Sequence, residues 1–278
     1  MRQWFDSFWH RALRRPYRLA RPLDSGQGQL IVLLHGIGRT GRIWQHLTEL
    51  LAGRPYRLVA FDLLGFGASP KPVWPDYDID DHADAVISGL ERLRPAGPAV
   101  LVGHSMGCLV AVRVARRRPD LVKHLVLYEM PLYAGLPEKR RYRARLNLYF
   151  RLYQRIVAYQ PSFDPAKVRL AERLARRIAG FEVDETTWQP FIKSLQNTIM
   201  NQTAADDIKQ LAVPMDVIYG SYDMLVIRGK ARQVFGEDSA ITTHRIRERH
   251  LISTKASRFI VSRIRAAIEP PEAIAHAE

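Results

Sequence analysis

Cysteine is nearly absent: Cys108 is the only one in 278 residues. A lone thiol excludes an internal disulfide and fits a reducing compartment. Long apolar runs are also missing, and none approaches the ~20 residues a membrane-spanning helix needs. The start, Met1 to Asp6, carries charge early and lacks the extended apolar stretch of a secretory signal. These absences lead us to expect a cytoplasmic protein. Acidic residues are scarce relative to basic ones, 28 against 42, for a net charge of +14. Lysine is scarce too, 8 against 34 arginines. An excess of positive charge suggests an anionic surface nearby, membrane or nucleic acid. The arginines are spread along the whole chain, however, and an arginine skew also arises from genome composition. No recognition module with base-stacking aromatics is visible, so nucleic acid is not an expected partner.

What remains is an ordinary globular composition, 47% hydrophobic and 25% charged. The length suits one large α/β domain, or one core with an insertion. Short apolar, β-branched runs read as strands: Leu30–Leu34, Arg57–Phe61, Ala99–Val102, His124–Tyr128, Met215–Tyr219 and Ile241–Ile246. Helix-like stretches separate several of them, at Ile43–Leu51, Ile79–Leu93 and Met106–Arg118, and a last helix is expected over Lys255–Ile268. Apolar strands alternating with helices imply an α/β fold, a mostly parallel sheet with helices on both faces. The alternation breaks after Pro131. Lys139–Tyr159, Pro165–Ile178 and Glu185–Met200 read as helices with no strand between them, an inserted all-helical cap over 132–205. The core then comprises 17–131 and 206–278, after an N-terminal extension over 1–16.

Gly103-His104-Ser105-Met106-Gly107 joins a strand directly to a helix. A strained turn at this junction lifts a serine hydroxyl above the sheet, and side chains at Gly103 and Gly107 would collide with the neighbouring strand and helix. The Met106 amide opens the helix, where free N–H groups favour an oxyanion. Ser105 is therefore the candidate nucleophile. It requires a neutral imidazole as base and a carboxylate to fix the tautomer of that imidazole. Cys108, at a helix start, reads as a small core residue.

With Leu34-His35-Gly36-Ile37-Gly38 and Phe61-Asp62-Leu63-Leu64-Gly65-Phe66-Gly67-Ala68-Ser69 added to the elbow, the chain resembles the α/β-hydrolase family from about Tyr17 to Ile264. The resemblance implies a second oxyanion N–H from Ile37, after the His35-Gly36 turn. It implies scaffold roles for Asp62, Gly65, Gly67 and Ser69, and packing for His104. It places the base at His250, between the last strand and the final helix, although Arg249 stands where the family usually has glycine. His244 lies within a strand and His276 in a tail after Pro270-Pro271. For the acid, Tyr219-Gly220-Ser221-Tyr222-Asp223 resembles the family's acid loop. Some members carry the acid where Glu129 lies, after the strand that follows the elbow. Asp223 is favoured and Glu129 stays open.

The implied activity is hydrolysis of carboxylic esters, small or lipid-like, through an acyl-enzyme, with no metal or organic cofactor. Alternatives are a C–C bond hydrolase of aromatic catabolism, a thioesterase, lactonase or acyltransferase, or a non-catalytic binding protein on the same fold. A serine nucleophile argues against dehalogenase and epoxide hydrolase chemistry. The oligomeric state is not legible. At the N-terminus, Trp4, Phe5, Phe8, Trp9, Ala12 and Leu13 share one helical face, while arginines fall mostly elsewhere. That pattern fits peripheral contact of residues 1–15 with a membrane's inner face, or docking onto the protein's own cap or a second subunit.

Overall fold

Side chains alternate across a strand, so a run that is apolar at every position must be covered on both faces. The expected runs form strands β2 (Gln29–Leu34), β3 (Tyr56–Phe61), β4 (Ala99–His104), β5 (Val122–Tyr128), β6 (Met215–Gly220) and β7 (Ile241–Ile246). A further short strand, β1 (Leu23–Gly26), precedes them. The computed structural model describes residues 8–13, 15–132, 151, 154, 181–223 and 240–269. Among these, seven strands make one sheet in the order β1-β3-β2-β4-β5-β6-β7. All neighbours are parallel except β1, which runs antiparallel to β3.

The helices are α1 (Gln45–Leu51), α2 (Ile79–Leu93), α3 (Met106–Arg117), α4 (Glu185–Ser194), α5 (Ala204–Ile208) and α6 (Thr254–Ile268). Their starts follow capping chemistry. The Asp78 carboxylate accepts from the Asp80 and Asp81 amides, and Ser253 Oγ accepts from the Ala256 amide. Asp184 and Thr187 form a reciprocal capping box at α4. The expected helix over Glu185–Met200 is α4 continued by a π-helical turn, Leu195–Met200. The other two expected helices of the insertion lie outside the described residues, apart from Arg151 and Gln154, both helical.

Ile31, Leu33, Val100, Val102 and Val126 pack with Leu47 of α1 and with Ile260 and Ile264 of α6. Val32, Leu34, Leu101, Leu125 and Leu127 pack on the opposite face with Val86 and Leu90 of α2 and Leu109 of α3. Each such side chain contributes roughly 1.5–3 kcal/mol on burial. The two apolar layers hold the sheet as a rigid plate, and the carboxyl ends of its parallel strands are where an open α/β sheet receives ligands. Among the described residues, no helix is long and apolar enough to cross a membrane.

Candidate active site

One residue separates β4 from α3. It is Ser105, with φ 52° and ψ −120°. A side chain in that region costs about 1–3 kcal/mol and persists only where its surroundings hold it. Here the Ser105 amide donates to the Tyr128 carbonyl at 3.0 Å, and the Ser105 carbonyl accepts from Cys108 at 2.9 Å. The flanking glycines make room. A Cβ at Gly103 would meet Cys108 Cα at 2.7 Å, and one at Gly107 would run into the Leu34 and His35 carbonyls. Met106 is the first residue of α3, so its N–H belongs to the initial donors that a helix leaves without intrahelical partners.

The His35-Gly36 turn ends β2 beside this serine. A Cβ at Gly36 would lie 3.1 Å from Ser105 Cβ. His35 Nδ1 donates to the Gly36 carbonyl at 2.8 Å, and its Nε2 accepts from the Leu63 amide at 2.8 Å. An imidazole that accepts at one nitrogen is neutral, and burial holds the His35 pKa down at about 4. The ring thus ties the turn carrying Ile37 to the loop after β3. In that loop both Asp62 carboxylate oxygens accept backbone amides, from Gly41 at 2.7 Å and Ala68 at 2.8 Å. Ser69 Oγ donates to the Asp62 carbonyl and accepts from the Ala20 amide. Gly67 has φ 53°, and a Cβ there would strike the Asp62 carboxylate. With both its oxygens engaged by amides, Asp62 serves loop geometry.

Asp223 follows β6 and His250 follows β7. The His250 Nδ1 donates to Asp223 Oδ2 at 2.8 Å, and both residues are buried. Glu129, directly after β5, is also buried, with φ 55°. Its Oε1 accepts the Gly220 amide at 2.6 Å. The structure therefore brings Asp223, and not Glu129, to His250 Nδ1. Ligand-capable atoms of Glu129, Asp223 and His250 lie within 4.8 Å of one another, so these are the side chains near enough to share an ion among the described residues. The Nδ1–H that His250 donates to Asp223 leaves that nitrogen without a lone pair for an ion.

Two residues that sequence reasoning assigned no such part hold the histidine's main chain. His104 Nε2 donates to the His250 carbonyl at 2.8 Å, and Tyr128 Oη donates to the Arg249 carbonyl at 2.7 Å. Burial, then the neighbouring His250, holds the His104 pKa down at about 3, so its ring is a neutral donor. The Tyr222 amide adds a bond to the Glu248 carbonyl at 2.9 Å. Arg249 does not adopt a positive φ, so the absent glycine leaves no strain at that position. A tyrosine in a strand buried on both faces must find a partner for its hydroxyl. That requirement is the one signal the sequence carried for Tyr128.

The remaining candidates are occupied elsewhere. Cys108 Sγ donates to the Tyr128 carbonyl at 3.3 Å, and burial, with Glu129 nearby, pushes its thiol pKa well up. His244 and His124 bond the two oxygens of Asp216, across three adjacent strands. His276 lies outside the described residues.

A model of the alpha/beta hydrolase family matches residues 31–260. The chain belongs to the alpha/beta hydrolase family. It is 28% identical over 233 residues to a 2-(acetamidomethylene)succinate hydrolase of Mesorhizobium japonicum, a match spanning 81% of this chain and 78% of that one. It is 26% identical over 221 residues to Lipase 3 of a Moraxella species, spanning 73% of this chain and 65% of the lipase. Among solved structures, a bromoperoxidase from Bacillus anthracis superposes with a TM-score of 0.71 at 19% identity, covering 89% of this chain and 94% of its own.

In this hydrolase α4 borders the same turn. A Cβ at Gly38, which has φ 63°, would sit 3.1 Å from the rings of Phe181 and Phe191, and the Gly38 carbonyl accepts from the Glu182 amide at 2.6 Å. Gly65 is crowded by Pro190 and Tyr77. Lys193 Nζ donates to the carbonyls of Val73 and Pro75, which fixes α4 over the loop that precedes α2.

Proposed function

We propose that this hydrolase cleaves carboxylic esters through Ser105, His250 and Asp223. One observation carries the reading. A serine on a strained strand-to-helix turn is followed, 146 residues after His104, by a buried histidine bonded to a carboxylate, and that histidine's own carbonyl is bonded by His104, the serine's neighbour. Asp223 accepts at Nδ1, which leaves Nε2 as the basic nitrogen. His250 Nε2 takes the Ser105 proton as Oγ attacks the acyl carbon. The Ile37 and Met106 amides receive the oxyanion, and His250 returns the proton to the departing alcohol. Water, deprotonated by the same nitrogen, then releases the acid and frees Ser105. The helical insertion over 132–205, with α4 at its end, would set the acyl and alcohol groups admitted. Similarity to a lipase supports the ester reading.

A second reading, a substrate that carries a carboxylate, rests on Arg39. This residue follows Gly38 in the same turn, near enough for its charge to bear on His35 and His104, and the Glu182 carboxylate bears on it in turn, so a substrate carboxylate would share it. The relative named as a succinate derivative's hydrolase is consistent with it. The test is a fluorophosphonate reaction together with a panel of neutral and carboxylate-bearing esters of graded chain length. Ser105→Ala is expected to remove both labelling and turnover while the melting temperature stays close to that of the parent. Turnover at the parental rate by purified Ser105→Ala would overturn the assignment. A preference for the acidic esters that Arg39→Gln abolishes would select the second reading.

A further inference from the structure

Basic residues crowd the beginning of the chain. Six of its first 21 residues are arginines, and Asp6 is the one acid among them. The described part of this segment is a π-helical turn, Phe8–Ala12. A ring stack fastens it to the core. The His10 ring stacks on Tyr17 with centroids 3.8 Å apart, and Tyr17 in turn meets Trp74 at 6.3 Å. The His10 Nδ1 donates to the Arg15 carbonyl, which closes the turn. The large apolar side chains are left on the outside: Phe8 is 49% exposed, Trp9 54% and Leu13 47%. The Arg15 guanidinium sits over the Trp9 ring, 5.8 Å from its centroid.

Behind this apolar edge lies a cavity of about 720 Å3. Trp9, Arg15, Arg92 and Arg94 line it, with Ser88 and Glu91. Glu91 is ion-paired to Arg118, and Arg92 Nε donates to Ser88. No acid pairs with Arg15, Arg92 or Arg94 among the described residues. An edge of two aromatics and a leucine, backed by a hollow with three guanidiniums, matches the layering of a bilayer surface. Aromatic rings settle at the level of the headgroups, the aliphatic chain goes deeper, and arginines bond phosphate oxygens. A protein partner would have to supply both an apolar groove and a matching acidic cluster, whereas an anionic leaflet supplies both over its whole area.

We infer that Phe8, Trp9 and Leu13, with Arg15, Arg92 and Arg94, form a surface that docks on an anionic lipid bilayer. The leaflet's negative potential draws the positively charged molecule in, and apolar insertion then fixes its orientation. Flotation of the full chain with vesicles tests this, using phosphatidylcholine alone and phosphatidylcholine with a third phosphatidylglycerol. The protein is expected to float with the second and not the first, and raised salt is expected to release it. Two variants separate the contributions: Phe8→Ser/Trp9→Ser/Leu13→Ser, and Arg92→Glu/Arg94→Glu. Each is expected to lower the partition coefficient by about tenfold or more, with circular dichroism and turnover of a soluble ester unchanged. Flotation of the triple serine variant like the parent would overturn the proposal and leave diffuse charge as the cause. Failure of the parent to float would overturn it too. So would a dimer in lipid-free buffer that the triple variant dissociates while neither protein floats, since that result makes the edge a protein interface.

Discussion

Asp223 and Glu129 differ in what their oxygens already hold. Asp223 Oδ2 accepts from the His250 ring, whereas Glu129 Oε1 accepts a backbone amide from Gly220. Asp223→Asn puts an amide opposite Nδ1 and favours the wrong tautomer, so kcat for a soluble ester is expected to fall by about 10⁴. Glu129→Gln keeps an oxygen for the Gly220 amide, so kcat is expected to stay within about tenfold of the parent while stability drops by ~1 kcal/mol. Steady-state kinetics and denaturant melts of both variants check this, and the opposite ranking in kcat would move the acid to Glu129. The turn at Ser105 was legible in the sequence because the elbow is local, five consecutive residues between a strand and a helix. The pairing of Asp223 with His250 needed the chain order that the family resemblance implied. The partners that His104 and Tyr128 would meet were not legible, although a buried tyrosine hydroxyl signals that it must have one. The two bonds join residues 146 and 121 positions apart, and nothing local marks which carbonyl such a donor will meet.

At the scale of elements, the loops after β6 and β7 are built against each other. Gly220 ends β6, and a Cβ there would strike both Glu129 Oε1 and the Glu248 carbonyl. Tyr222 bonds that same carbonyl, and Ser221 bonds the Ile246 carbonyl at 2.7 Å. Gly220→Ala is therefore expected to push the Asp223 loop away from the His250 loop. Overpacking of this kind costs about 1–3 kcal/mol, and a shift of ~1 Å in a reacting group costs on the order of 10²-fold in rate. Calorimetry and kcat check the pair of effects, and a variant with parental kcat would show that the loops tolerate the separation. The buried strands and α2 were legible because burial imposes a pattern. α2 runs over the residues expected, and β7 does as well although none of its residues is buried. β1 was not legible, since Leu23-Asp24-Ser25-Gly26 offers one apolar residue and is exposed at three of its four positions. It is a strand because its backbone pairs with β3 and Arg57 reaches Asp24 at 3.0 Å. The start of α1 was misplaced for a similar reason: Gly41–Trp44 is a tighter 3-10 turn, with Gly41 held by Asp62.

At the scale of the molecule, three of the buried histidines among the described residues are held neutral. Burial lowers His35 to about 4, and His82 and His104 to about 3, against an ordinary 6.5. Between those values the unfolded chain binds protons that the folded chain does not. Stability is therefore complete above about pH 6.5 and is lost as the pH falls, at about 1.4 kcal/mol per pH unit for each histidine. His82, on α2, is near enough to His35 to feel its charge and bonds Ser194 Oγ at 3.0 Å. His82→Gln retains a polar partner for that hydroxyl and removes one titration. The slope of unfolding free energy against pH, measured by denaturant titration between about pH 4 and 6.5, is expected to be shallower by about one proton in the variant. Parallel slopes would show that His82 titrates normally.

The bond from His104 to the His250 carbonyl also has a consequence in time. A chain leaves the ribosome from its amino end, and early segments begin to fold before later ones exist. Ser105 and Tyr128 emerge first, Asp223 long after, and His250 last of the four. A nascent chain thus displays Ser105 over the next 118 residues of synthesis with neither His250 nor the Asp223 loop in place. On the proposed roles, the growing polypeptide is chemically silent until His250, just past β7, has been added, and any fragment that stops short of His250 stays so.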